Sequence, residues 1–83
     1  MNALAAVSAM AEQHRDTWRG KPESYWLARL VGEVGELAGS LAGDHPDPVD
    51  HELVQIASIS INWLKRRELR ALASEYGEVS DAG

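Results

Sequence analysis

The sequence predicts an all-α fold: a three-helix subunit whose last two helices form an antiparallel hairpin. Apolar residues recur at helical spacing through three segments. Two breaks, Gly20-Lys21-Pro22 and Gly43-Asp44-His45-Pro46-Asp47, divide those segments. The second break is short, so the helices it joins must be antiparallel neighbours.

The first helix is expected from about Ala3 to Arg19, with Asn2 as its cap. Leu4, Val7, Met10, Ala11, His14 and Trp18 recur along it at helical spacing. The second is expected from Glu23 to Gly43. Its apolar stripe reads Leu27, Leu30, Val34, Leu37, Leu41, with Glu33, Glu36 and Ser40 on one flank and Ala28, Gly32, Gly35 and Gly39 on the other. Glycine inside a helix costs about 1 kcal/mol relative to alanine, so three on one face call for the close approach of another helix. The third helix is expected to start at Asp47 as cap, with Pro48 in the first position and Asp50 at the positive end of the dipole. It should run to Tyr76, stop at Gly77 and leave a polar tail over 78–83, so that residues 1–77 form one domain. Its apolar positions, from Val49 to Leu64, cover more than half its circumference. Two helices of an 83-residue chain cannot cover that surface. A helical-bundle homodimer or dimer of dimers is therefore expected.

The chain has no cysteine, which excludes disulfides and thiolate metal sites. A hard metal or a partner chain remains as the staple a domain this small needs. The formal net charge of −5 argues against binding a DNA or RNA duplex, which requires a basic face. It leaves room for a nucleotide, because a cation can bridge acid to phosphate. The apolar start, Met1 to Ala11, lacks a basic leader region and reads as an amphipathic helix. No run reaches membrane-spanning length. These features suit a cytoplasmic protein with no membrane partner.

Counting back from the turn at about 1.5 Å per residue, Glu36 and Glu52 lie level, with Glu33 and Gln55 one turn further along. Spacing of i,i+3 puts each pair on one face of its helix. A plain hairpin thus gathers Glu33, Glu36, Glu52 and Gln55. Each alone is an ordinary helix-surface residue. Together they repel unless a cation joins them, and oxygen ligands of this kind suit Mg²⁺ or Mn²⁺. Asn62 follows on the Gln55 side. Lys65-Arg66-Arg67, with Arg70, is the basic cluster, either a solvated face or a phosphate contact. His14, His45 and His51 show no metal spacing, and Trp18, Trp26 and Trp63 read as core.

Gly32-Glu33-Val34-Gly35-Glu36, followed by Glu52-Leu53-Val54-Gln55 and then Asn62, resembles the MazG-like all-α nucleoside triphosphate pyrophosphohydrolases. Their pattern is Glu-Glu-x-x-Glu on one helix and Glu-x-x-Asp on the next. The resemblance covers most of residues 14–65. It implies a tightly packed helical dimer or tetramer and Mg²⁺ (or Mn²⁺) on Glu33, Glu36 and Glu52, with Gln55 in the remaining ligand position. It also implies cleavage of a nucleoside triphosphate to monophosphate and pyrophosphate. The three glutamates would be catalytic, one of them activating the attacking water, while Asn62, with Lys65 or Arg66, would hold substrate. Gly32 and Gln55 stand where the family carries acids. The alternative they motivate is a helical dimer of impaired catalysis that senses a nucleotide or binds a partner.

Overall fold

The computed structural model describes residues 2–44 and 48–74. It holds three helices, α1 (Ala3–Gln13), α2 (Glu23–Ala42) and α3 (Val49–Leu72), with no strand among the described residues.

The side chain of Asn2 opens α1 by accepting from the Ala5 amide at 3.0 Å, which satisfies one of the unpaired N–H groups of the first turn. The helix stops at Gln13, not at Arg19. Residues 14–20 run on as tight turns, with Thr17 N donating to His14 O at 3.0 Å and Lys21 N to Trp18 O at 3.1 Å. Gly20 closes the segment at φ +81°. The cause is tertiary: Trp18 packs edge-to-face on Trp26 (centroids 5.1 Å apart) and Tyr25 (5.9 Å). Packing of that kind outweighs a modest helix preference.

Gly43 ends α2 in the left-handed region at φ +82°, as its position in the sequence suggests. The Asp44 amide bonds back to Gly39 O at 2.8 Å and that of Gly43 to Ser40 O at 3.2 Å, which ties off the last carbonyls. Pro48 sits one place earlier than expected, as the cap of α3, where its carbonyl accepts from His51 and Glu52. The expected cap Asp47, the expected end at Tyr76–Gly77 and the tail 78–83 lie outside the described residues.

α3 is the central element. α1 and α2 each pack on it and not on one another. α2 runs antiparallel to α3: Trp63 Nε1 donates to Glu23 Oε2 at 2.9 Å at one end, and Glu52 meets Glu33 and Glu36 at the other. α1 runs parallel to α3. Asn62 Nδ2 donates to Ala11 O at 3.0 Å, and Arg66 Nη2 to Arg15 O at 3.3 Å one turn later. The result is a flat body of 53 × 27 × 15 Å. Its radius of gyration, 15.6 Å, exceeds the ~12 Å of a compact chain this long.

The interior is thin and unusually polar. Ala11, Trp26 and Ile59 are its buried apolar side chains, beside buried Glu33, Glu52, Ser58 and Asn62. The stripe expected to face the core points elsewhere: Leu27 is 52 % exposed, Val34 49 % and Leu41 70 %. The line that meets α3 instead carries Trp26, Leu30, Glu33 and Leu37. At Gly32 and Gly35 the expected close approach is not made by the described residues of the chain. A Cβ built at Gly32 or Gly35 meets nothing within 4 Å. Among the described residues, no helix is long and apolar enough to cross a membrane.

The Asn62 amide is the buried polar tie between α1 and α3. Asn62→Ala would leave the Ala11 carbonyl without its donor, and loss of a buried hydrogen bond of this kind costs about 1–3 kcal/mol. Urea denaturation should register that drop; an unchanged midpoint would mean the tie carries no weight.

Candidate metal centre

The acid end of the hairpin follows from its register. Glu33 and Glu36 sit one turn apart on α2, and Glu52 rises from the first turn of α3. One carboxylate oxygen from each of the three lies within 4.8 Å of the others. Glu52 is fully buried and Glu33 nearly so, while Glu36 is half-buried at the rim. Glu33 Oε1 is buried without a hydrogen-bond partner. A carboxylate oxygen removed from water without a partner is costly.

Electrostatics give the same picture. The Glu33 carboxyl is pushed above its ordinary range, first by burial, then by the hydrogen bond it can share with Glu52 and by the charges of Glu36 and Glu52. Arg29, one turn earlier, pulls the other way. The donor set suits a hard divalent cation, since three carboxylate oxygens can share one ion at metal–oxygen distances of about 2.0–2.6 Å. Glu33, Glu36 and Glu52 are the residues that would hold it.

Of the three acids, Glu33 opens onto a cleft of about 260 Å³. α3 forms its floor with Gln55, Ser58, Ile59 and Asn62; Arg29 and Glu33 line one wall, and His14, Thr17 and Trp18 the other. Gln55 therefore shares the cleft with Glu33. Asn62 reaches the same cleft, although its amide already donates to Ala11. Lys65 and Arg66 do not join them. They line a second groove with Glu12, Arg15, Asp16 and Arg19, which shares only Asn62 with the cleft. Arg66 is tied there to Arg15 O and faces Asp16 at 4.0 Å.

The cation that the cleft does contain is Arg29, whose guanidinium lies over the Trp18 ring at 5.6 Å. Sequence reasoning passed it over. The signal was present: Arg29 is the lone basic residue of α2 and precedes Glu33 by four, which sets them on one face. The wall formed by His14, Thr17 and Trp18 had no such signal, because it depends on the early end of α1.

Comparison with protein-family models, curated proteins and solved structures gives no match.

The raised Glu33 value sets a pH dependence. The folded state holds this proton more tightly than the unfolded chain does. The group's contribution is complete below the ordinary value of 4.5 and is lost as pH rises through the folded value. Glu23 runs oppositely: hydrogen bonds from Trp63 and Arg67 hold its carboxyl down, and their contribution is lost as pH falls through its folded value. Metal-free protein should therefore melt progressively lower as pH climbs above the ordinary Glu33 value of 4.5 and through the raised folded one. Mg²⁺ or Mn²⁺ at about 100 times Kd should restore ~2.7 kcal/mol near neutrality. Glu33→Gln should raise the metal-free midpoint at neutral pH and remove the metal increment. Calorimetry on both proteins checks the pair of outcomes.

Proposed function

We propose that the chain is a divalent-metal-dependent nucleotide pyrophosphohydrolase that converts a nucleoside triphosphate to its monophosphate and pyrophosphate. The observation that carries this reading is the convergence of Glu33, Glu36 and Glu52, with a buried and unpartnered Glu33 oxygen, beside a cleft holding Arg29. The resemblance of the Glu33–Glu36 and Glu52–Gln55 segments to the MazG-like enzymes supplies the reaction class.

A Mg²⁺ or Mn²⁺ ion held by the three carboxylates would neutralise phosphate charge and favour attack by water. The protein's own groups do the rest. Arg29 is the cation placed to meet the phosphate chain, once it leaves the Trp18 ring. Gln55 offers an amide where a fourth carboxylate would add charge, and the Asn62 carbonyl oxygen is available because its amide nitrogen is the tethered end. In the reaction, the oxygen of water bonds to phosphorus and the α–β bridging P–O bond breaks. One glutamate of the cluster takes the proton of the attacking water. Glu36, at the rim, is the candidate base, since Glu33 and Glu52 lie deeper.

A second reading rests on Gln55 and Gly32. With an amide in the cleft and no side chain at position 32, the site has fewer charges than the family pattern and would bind a nucleotide without turning it over.

The test is pyrophosphate release from a panel of nucleoside triphosphates with Mg²⁺ or Mn²⁺. Glu52→Gln and Glu36→Gln should each lower kcat/KM by about 10²-fold or more. Arg29→Ala should act through KM more than kcat if it holds phosphate in ground state and transition state alike. Calorimetric nucleotide binding with no pyrophosphate from any substrate selects the second reading, and the absence of both rejects the site.

A further inference from the structure

Basic residues are segregated in this chain. All of them except Arg29 fall within residues 12–23 and 65–70, which together hold seven cations against four carboxylates, a surplus of three positive charges in a chain whose net charge is −5. The fold joins the two segments. Arg66 Nη2 donates to Arg15 O at 3.3 Å and lies 4.0 Å from Asp16, and Arg67 pairs with Glu23. The aromatic end of the hairpin is therefore also its basic end, and the acids of the metal centre lie at the other.

Two hollows mark this end, and they are continuous because Arg66 and Leu69 line both. The groove already described, of about 360 Å³, has Arg15, Arg19 and Lys65 on its walls. The other, of about 490 Å³, is a slot lined by the apolar side chains of Pro22, Trp26, Trp63 and Leu69 and by the cations Lys21, Arg66 and Arg70. Leu69 is 61 % exposed where the two meet, so the trough offers apolar surface as well as charge. Among the described residues, Lys65 and Arg70 make no ion pair, and Lys21 lies over the Tyr25 ring at 5.2 Å.

Carboxylates already occupy part of the trough. Asp16 stands among three guanidinium groups, with Arg19 at 2.6 Å, Arg15 at 3.7 Å and Arg66 at 4.0 Å. Arg15 also pairs with Glu12 at 2.8 Å. The planar fork of arginine matches a carboxylate, and arginine beside aromatic side chains is the composition enriched at protein interfaces. A nucleic-acid backbone fits less well. It gains from an unbroken run of cations that replaces its counterions, whereas Glu12, Asp16 and Glu23 interrupt this one.

We propose that the trough docks an acidic segment of a partner protein, whose carboxylates pair with Lys65, Arg66 and Arg70 while one apolar side chain enters the slot beside Trp63 and Leu69. On α3 the trough runs from Asn62 to Arg70, eight residues or about 12 Å, which about four extended residues span. Opposite charge steers such a segment to this end of the molecule and sets its register. The apolar side chain adds what exposed ion pairs lack, since those alone contribute little. The trough shares only Asn62 with the cleft, and the docking holds whether or not the cleft turns over nucleotides.

The test is fluorescence anisotropy of labelled hexapeptides, each with one leucine or tryptophan flanked by glutamates and aspartates, titrated with the full chain. Binding should appear at low salt and weaken as salt rises. Lys65→Gln and Arg70→Gln, both at exposed side chains, should each weaken it about threefold, and the double variant about tenfold. Ala42→Glu makes the same change in net charge at the far end of α2 and should leave binding unchanged. Serine in place of the apolar residue of the probe should weaken binding by at least as much as either single variant. Circular dichroism checks that each variant is folded. The proposal is overturned if no probe binds, if Ala42→Glu weakens binding as much as Lys65→Gln does, or if the serine probe binds as well as its parent. Tighter binding of oligothymidylate or pyrophosphate than of the acidic probes, lost in the double variant, also overturns it and assigns the trough to phosphate.

Discussion

The structure depends on two carboxylates buried between helices. Glu33 and Glu52 occupy interior positions at the turn end of the hairpin, where a helical pair ordinarily places leucine. Burying a carboxylate costs several kcal/mol even after relaxation, and two side by side add their repulsion when both are charged. Such an end closes only when a proton or a cation offsets the charge. The raised Glu33 value is the proton solution; a divalent ion is the alternative that restores full ionisation. The same pair of residues is therefore both a weakness of the fold and its candidate metal centre.

The opposite end of the hairpin supplies the compensating order. Trp18, Tyr25, Trp26 and Trp63 form one aromatic cluster, with Trp26 and Trp63 6.4 Å apart. Glu23 locks it by accepting from both Trp63 and Arg67. Lys21 lies over Tyr25 and Arg29 over Trp18. Aromatic burial gives this end most of the apolar contact the chain has. The division is along the hairpin: aromatic residues hold one end, and acids converge at the other. Asn62, between them, ties α1 to the assembly and so fixes the far wall of the cleft.

Much of this was legible in the sequence. The hairpin register followed from counting residues back from the Gly43 turn, and it brought Glu33, Glu36 and Glu52 together, with Gln55 in the cleft that Glu33 lines. What counting could not give was rotation. Leu27, Val34 and Leu41 make the stronger apolar line, and hydrophobic periodicity assigns them to the core. The end of α1 was hidden for a related reason, since Trp18 leaves helical geometry to reach Trp26, a contact between segments. Lys65 and Arg66 stand away from the acids for a plainer reason: they lie more than three turns beyond Glu52 on the same helix. Arg29 was overlooked as a single charge on a helix whose glutamates drew the attention.

The rotation of α2 has a physical cause, and it connects the inside of the hairpin to the outside. Trp26 and Glu33 are seven residues apart and share one line on the helix, so burying the tryptophan buries the acid. Rolling α2 by a quarter turn would release Glu33 to water and bury Leu27, Val34 and Leu41, each worth about 1.5–3 kcal/mol. In an isolated chain that alternative competes well, since it gains three aliphatic side chains and relieves a buried charge. It would break the Trp18–Trp26–Trp63 cluster, but that loss alone is of similar size. The observed rotation wins clearly when both of its costs are met from outside: a cation for the acids that face in, and an apolar surface for the leucines and valines that face out. The chain thus keeps acids inside and aliphatic residues outside because one tryptophan sets the rotation of the whole helix.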